Sequence, residues 1–161
     1  MPAITLQLSS MDDVGSLAIR AFSHGAFSHV DAVLSNGNLL GARSEQLGSI
    51  PAGVQIRQPG YAEFSSLKHV VLPTTPECEQ AFYDFLATQI GKPYDHSAIL
   101  GFALDRDWRQ SDSWFCSELI GAALEKAGYF SFYLAAPANK ITPADLLLVL
   151  SATANVGEPQ A

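Results

Sequence analysis

Cysteine and histidine are the residue types that could give this chain covalent chemistry. The stretch from Ser113 to Gly128, SWFCSELIGAALEKAG, is typical of a helix with a capping serine at its start and a glycine stop at its end. Cys116 lies in the first turn of this predicted helix, where the helix dipole and unpaired amide hydrogens favour the thiolate. It is therefore a candidate nucleophile, although cysteine is also among the residues most often buried as core.

A catalytic thiol needs a base that accepts its proton and later returns it to the leaving group, and histidine is the usual base near neutral pH. Among the four histidines, His29 stands out because a predicted strand start would hold its ring rigidly. His69 and His96 are equally well explained as structural residues. The sequence predicts no metal site and no cofactor, because neither the histidines nor the cysteines have a recognisable ligand spacing.

Short strands and helices are expected to position these residues. Asn36-Gly37 lies between two apolar runs and predicts a tight hairpin directly after the strand that His29 starts. Further strands are predicted over Ile4 to Leu8, Leu17 to Phe22, Val54 to Arg57 and Leu67 to Leu72. Further helices are predicted from Thr75-Pro76 to Gly91, from Ser97 to Leu104, and from Thr142-Pro143 onward.

The composition predicts one compact domain over residues 1–161, with residues 151–161 as a frayed tail. A net charge of −7 with nine Lys and Arg argues against a nucleic-acid partner, because phosphates require a basic surface. No apolar run approaches the span of a bilayer, so no membrane partner is expected. The start of the chain lacks a secretory signal, which makes a cytoplasmic location the default expectation. The sequence gives no indication of the oligomeric state.

Three segments of the chain together resemble a known family. SHVD before the hairpin, GKPYD at residues 91–95, and WFCSELIGAAL followed by ITPADL are similar to segments of the circularly permuted NlpC-type cysteine peptidases of the papain-like superfamily. The resemblance covers residues 28–146. The histidine precedes the cysteine, as in the permuted branch that includes lecithin retinol acyltransferase-like proteins. The resemblance implies an α+β papain-like fold, in which an antiparallel sheet packs against the helix bearing the nucleophilic cysteine.

The same resemblance implies the roles of individual residues. Cys116 would be the nucleophile, His29 the general base and acid, and Tyr94 of GKPYD would lie beside the thiol and help to hold the oxyanion. The implied activity is that of a thiol hydrolase, a cysteine peptidase or amidase, acting on an amide bond in a cell-wall peptide or another peptide or amide substrate. A phage-associated setting is also compatible with the family.

The third member of the expected catalytic group is the point at which this chain departs from the family. A polar side chain usually lies on the strand after the hairpin, but Gly41 and Ala42 stand there. Asp31 lies two residues after His29 on the same strand face and is the candidate replacement, with a contact expected on the Nδ1 side of the ring. Glu45 or a backbone carbonyl is the alternative.

Two other functions remain open at the level of sequence. The permuted branch also includes acyltransferases and thioesterases that act on lipid esters. The missing polar residue near Gly41 instead motivates a catalytically inactive domain that serves as an interaction module.

Overall fold

A five-stranded antiparallel sheet is the centre of the fold. The computed structural model describes residues 1–96, 112–131 and 141–153, and these residues have an α+β architecture. The strands are β1 (Ala3–Ser10), β2 (His29–Val33), β3 (Leu39–Arg43), β4 (Gly53–Arg57) and β5 (Ser66–Pro73), in the spatial order β4-β3-β2-β1-β5. The described helices are α1 (Val14–Ser23), α2 (Pro76–Gln89), α3 (Cys116–Lys126) and α4 (Pro143–Thr153). Within the described ranges, none of the helices combines the length and the apolar character needed to cross a membrane.

One face of the sheet carries the apolar core. The register of β1 and β2 pairs Leu6 with Ala32 and Leu8 with Val30, and all four side chains are fully buried in one cluster with residues of α2 and α3. Because side chains alternate along a strand, the residues between them lie on the opposite face. On β1 and β2 these are the polar residues Gln7, Ser9, His29 and Asp31.

Several sequence predictions about local structure are confirmed. The hairpin between β2 and β3 turns at Gly37, which has a positive φ of 83° that favours glycine. Helix α2 begins at Pro76, and the Thr75 side chain caps it by accepting a hydrogen bond from the Cys78 N–H. Cys78 and Cys116 are both free thiols.

The predicted strand from Leu17 to Phe22 is wrong, because this segment lies within helix α1. The Asp13 side chain caps α1 by accepting a hydrogen bond from the Ser16 N–H at 2.8 Å. Ser16 is the buried residue of this helix, and its hydroxyl lies 2.6 Å from that of Ser28, just before β2. Helix α1 is thereby tied to the start of the strand that carries His29.

The predicted boundaries of two other helices also change. Helix α3 begins at Cys116 and not at Ser113, and the Phe115 N–H donates to the Glu118 carboxylate at 3.3 Å in the first turn. Helix α4 continues to Thr153, so residues 151–153 are helical and not part of a frayed tail. Residues 154–161 and the predicted helix from Ser97 to Leu104 lie outside the described residues.

Candidate active site

The sulfur of Cys116 lies against the backbone at the start of β2. Its thiol donates to the Ser28 carbonyl at an Sγ–O distance of 3.9 Å, and the Val30 N–H hydrogen-bonds to the sulfur. These two backbone groups belong to the residues on either side of His29. In the described part of the chain there is no hydrogen bond between Sγ and the imidazole. The start of α3 thus places the thiol next to the backbone on either side of His29. The thiol hydrogen bonds to the Ser28 carbonyl and not to the His29 side chain.

The imidazole of His29 and the carboxylate of Asp31 form a buried pair. His29 Nε2 lies 2.9 Å from Asp31 Oδ1. The angle at the N–H group is too poor for a hydrogen bond, so the two atoms are in close contact without one. Asp31 is fully buried, and His29 is 8% exposed. The predicted contact between the two side chains is confirmed, but it involves Nε2 and not Nδ1. Nδ1 is therefore the ring nitrogen that is not directed at the carboxylate.

The absence of a side chain at Gly41 leaves space for the Asp31 carboxylate in this site. A Cβ at position 41 would overlap Asp31 Oδ1. The Asp31 carboxylate therefore occupies the space beside His29 that a side chain on β3 would need. Glu45, the alternative third member, instead lies 3.7 Å from Arg43 and is about half exposed.

Three residues that the sequence analysis did not single out complete the polar cluster. The Tyr61 hydroxyl donates to Asp31 Oδ2 at 2.8 Å, and Arg43 Nη1 donates to the Tyr61 oxygen at 3.0 Å. Arg57 is buried and donates to the Gly41 carbonyl at 3.0 Å. The sequence could have indicated that Arg43 and Arg57 belong to this cluster, because each lies on a predicted strand at a position that alternates with apolar residues. Tyr61, in the loop that follows β4, gave no such signal.

Burial and the Asp31 carboxylate shift the pKa of His29 in opposite directions. Burial lowers its pKa below the ordinary value of 6.5, and the neighbouring Asp31 offsets only part of this effect. For Asp31, burial would raise the pKa, but His29 and the Tyr61 hydrogen bond outweigh it and hold the pKa below its ordinary value. At neutral pH the site therefore contains an ionised carboxylate beside a neutral imidazole, which is able to accept a proton.

The thiol is also neutral in this site. Burial raises the pKa of Cys116 to about 12, although hydrogen bonds from the backbone of Val30 and Ser117 act in the opposite direction. The thiolate predicted from the position at a helix N-terminus is therefore not the resting form, because loss of hydration outweighs the backbone groups. Because the thiol and the imidazole are both neutral, proton transfer between them would accompany the reaction, and no ion pair is formed beforehand.

Tyr94 is held next to the start of α3 by the backbone. The Trp114 N–H donates to the Pro93 carbonyl and the Asp95 N–H donates to the Trp114 carbonyl, both at 3.0 Å. The Tyr94 ring is buried, with its centroid 5.8 Å from that of Phe115. Burial and the nearby Cys116 raise the pKa of Tyr94 well above its ordinary value, so its hydroxyl remains a hydrogen-bond donor.

A small cavity of about 50 Å³ opens beside the histidine. It has room for only a few atoms. Its walls include Ser16, Ser28, His29, Arg43, Glu45 and Tyr94.

Comparison with known proteins adds no assignment. No protein-family model matches the chain, and no curated protein is significantly similar to it. Among the described residues, no three His, Cys, Asp or Glu side chains are grouped so that they could hold a metal ion. The function is therefore argued from the geometry around Cys116 and His29.

Proposed function

We propose that this chain is a thiol hydrolase of the circularly permuted NlpC type, in the papain-like superfamily, that cleaves an amide bond in a peptide or another amide. The observation that carries the proposal is the position of Cys116 Sγ. The sulfur lies against the backbone on both sides of His29, whose ring is paired with the buried Asp31 carboxylate. The thiol at the start of α3 therefore lies at the start of the strand that carries the His29–Asp31 pair. Activation of the thiol requires in addition that the imidazole come within hydrogen-bond reach of the sulfur.

In the proposed reaction the Cys116 sulfur attacks the carbonyl carbon of the substrate while its proton passes to Nδ1 of His29. His29 then gives this proton to the leaving nitrogen as the carbon–nitrogen bond breaks, which leaves a thioester on Cys116. A water molecule attacks the thioester, with His29 again accepting a proton. The acid is released, and the proton returns to the sulfur.

The neighbouring groups act on the charges that develop during this reaction. His29 becomes a cation when it accepts the thiol proton, and the Asp31 carboxylate at 2.9 Å from Nε2 stabilises that cation. The backbone N–H groups at the start of α3 and the hydroxyl of Tyr94 would donate to the oxyanion formed at the substrate carbonyl.

A second candidate function is an interaction module without catalysis. The observations that favour it are the burial of Cys116, which is 1% exposed, and the raised pKa of its thiol. The thiol also donates to the Ser28 carbonyl and not to an imidazole. In the enzyme proposal, the thiol proton would have to move from the Ser28 carbonyl to His29 when substrate binds, since catalytic hydrogen bonds often form fully only in the substrate complex.

The rate of Cys116 alkylation by iodoacetamide between pH 6 and 9 tests the first proposal against the second. Cys78→Ala provides the background, so that Cys116 is the only cysteine, and mass spectrometry follows the adduct. His29→Ala is expected to slow alkylation at pH 7.5 by about 100-fold, because the neutral thiol loses the base that accepts its proton. His69→Ala is the matched control, since this strand histidine contacts Gln7 on β1, and it is expected to leave the rate unchanged.

An equal, slow rate in all three proteins would overturn the enzyme proposal and support the interaction module. In the enzyme case, incubation with activated ester and peptide anilide probes is expected to leave an acyl group on Cys116. Turnover of the anilide indicates an amidase, whereas turnover of the ester alone indicates the thioesterase or acyltransferase chemistry of the permuted branch.

A further inference from the structure

We infer that Tyr61 is a positioning residue, whose hydroxyl fixes the Asp31 carboxylate against the imidazole of His29. The inference deepens the proposed function and rests on it for its catalytic meaning. It assigns a role to a loop residue that does not touch the thiol and that the sequence analysis did not single out.

The direction of the Tyr61 hydroxyl is determined by its two partners. Arg43 Nη1 lies 3.0 Å from the Tyr61 oxygen, and a guanidinium has only N–H donors. The oxygen must therefore accept from Arg43, which leaves its single hydrogen for Asp31 Oδ2 at 2.8 Å. Burial raises the pKa of Tyr61 far above its ordinary value, so the hydroxyl keeps this hydrogen throughout the neutral range.

The aromatic ring is held from several sides. The guanidinium carbons of Arg43 and Arg57 lie 5.2 Å and 5.7 Å from the ring centroid. The ring of Phe64 meets it edge-on, at a centroid distance of 5.3 Å. A hydroxyl on a ring held in this way is a fixed point from which to orient a carboxylate.

Each oxygen of Asp31 has its own partner. Oδ2 accepts from Tyr61, while Oδ1 lies 2.9 Å from His29 Nε2 with poor alignment. The terminal torsion of an aspartate is broad, so a poorly aligned contact does not hold the carboxylate in one orientation by itself. The hydrogen bond from Tyr61 therefore fixes the plane of the carboxylate and keeps Oδ1 against the ring.

The pKa of His29, measured by NMR titration of its Cε1–H resonance, provides the test. The proteins are the parent, Tyr61→Phe and Tyr83→Phe. Tyr83 is the matched control because its hydroxyl also donates to β2 at 2.8 Å, but to the Val33 carbonyl away from the site. Several ionisable or charged groups face His29 and remain unchanged in both variants. They are Asp13 before α1, Asp31 on β2, Arg43 at the end of β3, Glu45 after β3, Arg57 on β4 and Tyr94. Cys116 on α3 lies against the backbone on either side of His29 and is also unchanged.

In Tyr61→Phe we expect the pKa of His29 to fall, because a carboxylate free to rotate stabilises the imidazolium less. Alkylation of Cys116 at pH 7.5 should slow about tenfold, less than for His29→Ala, because the base is misplaced but still present. Tyr83→Phe should change neither quantity. An unchanged pKa of His29 in Tyr61→Phe would overturn the inference. A raised pKa of His29 would also overturn it, because it would mean that the Tyr61 hydrogen bond weakens the effect of the Asp31 charge on the imidazole and does not position the carboxylate.

The two proposals can fail separately in this experiment. If alkylation does not depend on His29 but Tyr61→Phe still lowers the pKa of His29, the positioning contact stands and the enzyme proposal fails. If alkylation depends on His29 but Tyr61→Phe changes nothing, only the present inference fails. Should Tyr61→Phe not fold, the Tyr61 hydroxyl proton of the parent provides the second measurement. A slowly exchanging proton close to Asp31 supports the inference, and rapid exchange with water overturns it.

Discussion

The face of the sheet that packs against α2 and α3 and the face that carries His29 are both buried, but by different kinds of side chain. On the first face, Leu6, Leu8 and Val30 lie in a continuous apolar cluster. On the second, Asp31 and Arg57 are almost fully buried within a polar cluster. The apolar face gains stability from removal of its side chains from water, whereas the polar face loses hydration that only its internal partners replace.

This difference assigns different tasks to residues that are adjacent in sequence. Val30 fills the core and gives its N–H to the sulfur of Cys116, while His29 and Asp31 on either side form the polar pair. Because alternate residues serve the two faces, one strand can hold the fold together and carry the candidate chemistry. Substitutions on the two faces should therefore separate stability from the properties of His29.

The largest expected effect comes from the apolar face. Leu6→Ala should lower the free energy of unfolding by about 2–5 kcal/mol, because it leaves a cavity among fully buried neighbours. Urea denaturation measures this change, and the pKa of His29 should remain that of the parent. Leu67→Ala on the paired strand β5 is the matched control. Its side chain is 52% exposed, so a loss within about 0.5 kcal/mol is expected. Equal losses in the two variants would contradict the core described above.

A smaller loss of stability, accompanied by a change at the site, is expected for Gly41→Ala. The added methyl group overlaps the Asp31 carboxylate, which should cost about 1–3 kcal/mol and displace Oδ1 from His29. The pKa of His29 should then fall. Ala42→Gly on the opposite face should also cost about 1–2 kcal/mol, but without any change in that pKa. A normal His29 titration in Gly41→Ala would show that the carboxylate does not depend on the space at position 41.

The smallest effect is the pH dependence of stability that His29 contributes. Its pKa is lower in the folded protein than its ordinary value of 6.5, so the unfolded chain binds this proton first as the pH falls. The contribution is complete above about pH 6.5 and is lost as the pH falls toward the folded pKa, with a slope of at most about 1.4 kcal/mol per pH unit. Asp31, whose pKa is also lowered, adds a second decline below about pH 3.8.

Urea denaturation at pH 7.5, 6.5 and 5.5 measures the contribution of His29. His29→Gln should flatten the decline between pH 6.5 and 5.5. The same slope in parent and His29→Gln would mean that burial does not disfavour the imidazolium.

The sequence was sufficient for the parts of the site that local patterns determine. The strand that starts at His29 and the Asn36-Gly37 hairpin were both predicted, because turn chemistry and alternation act over a few residues. The contact between His29 and Asp31 followed from their spacing on one strand. The catalytic roles of Cys116 and His29 stay predictions.

Other parts depend on contacts between distant segments. Helix α1 was mistaken for a strand, although Asp13 as a cap and the helical spacing of Val14, Leu17 and Phe22 are visible in the sequence. Tyr61 could not be found, because its role depends on the register that brings β3 and β4 beside Asp31. The helix terminus at Cys116 is visible in the sequence, whereas the degree of burial that raises the pKa of its thiol depends on the packing of distant segments.

The overlap that a Cβ at position 41 would make with the Asp31 carboxylate also constrains how this site can evolve. Positions 31 and 41 compete for one volume beside His29, so only one of them can carry the third polar side chain. A descendant that acquires histidine or glutamine at position 41 must first shorten or lose the aspartate, because a chain with both side chains is the most crowded of the combinations. Relatives of this protein should therefore show the two positions exchanging as a pair, with glycine at 41 retained wherever aspartate is retained at 31.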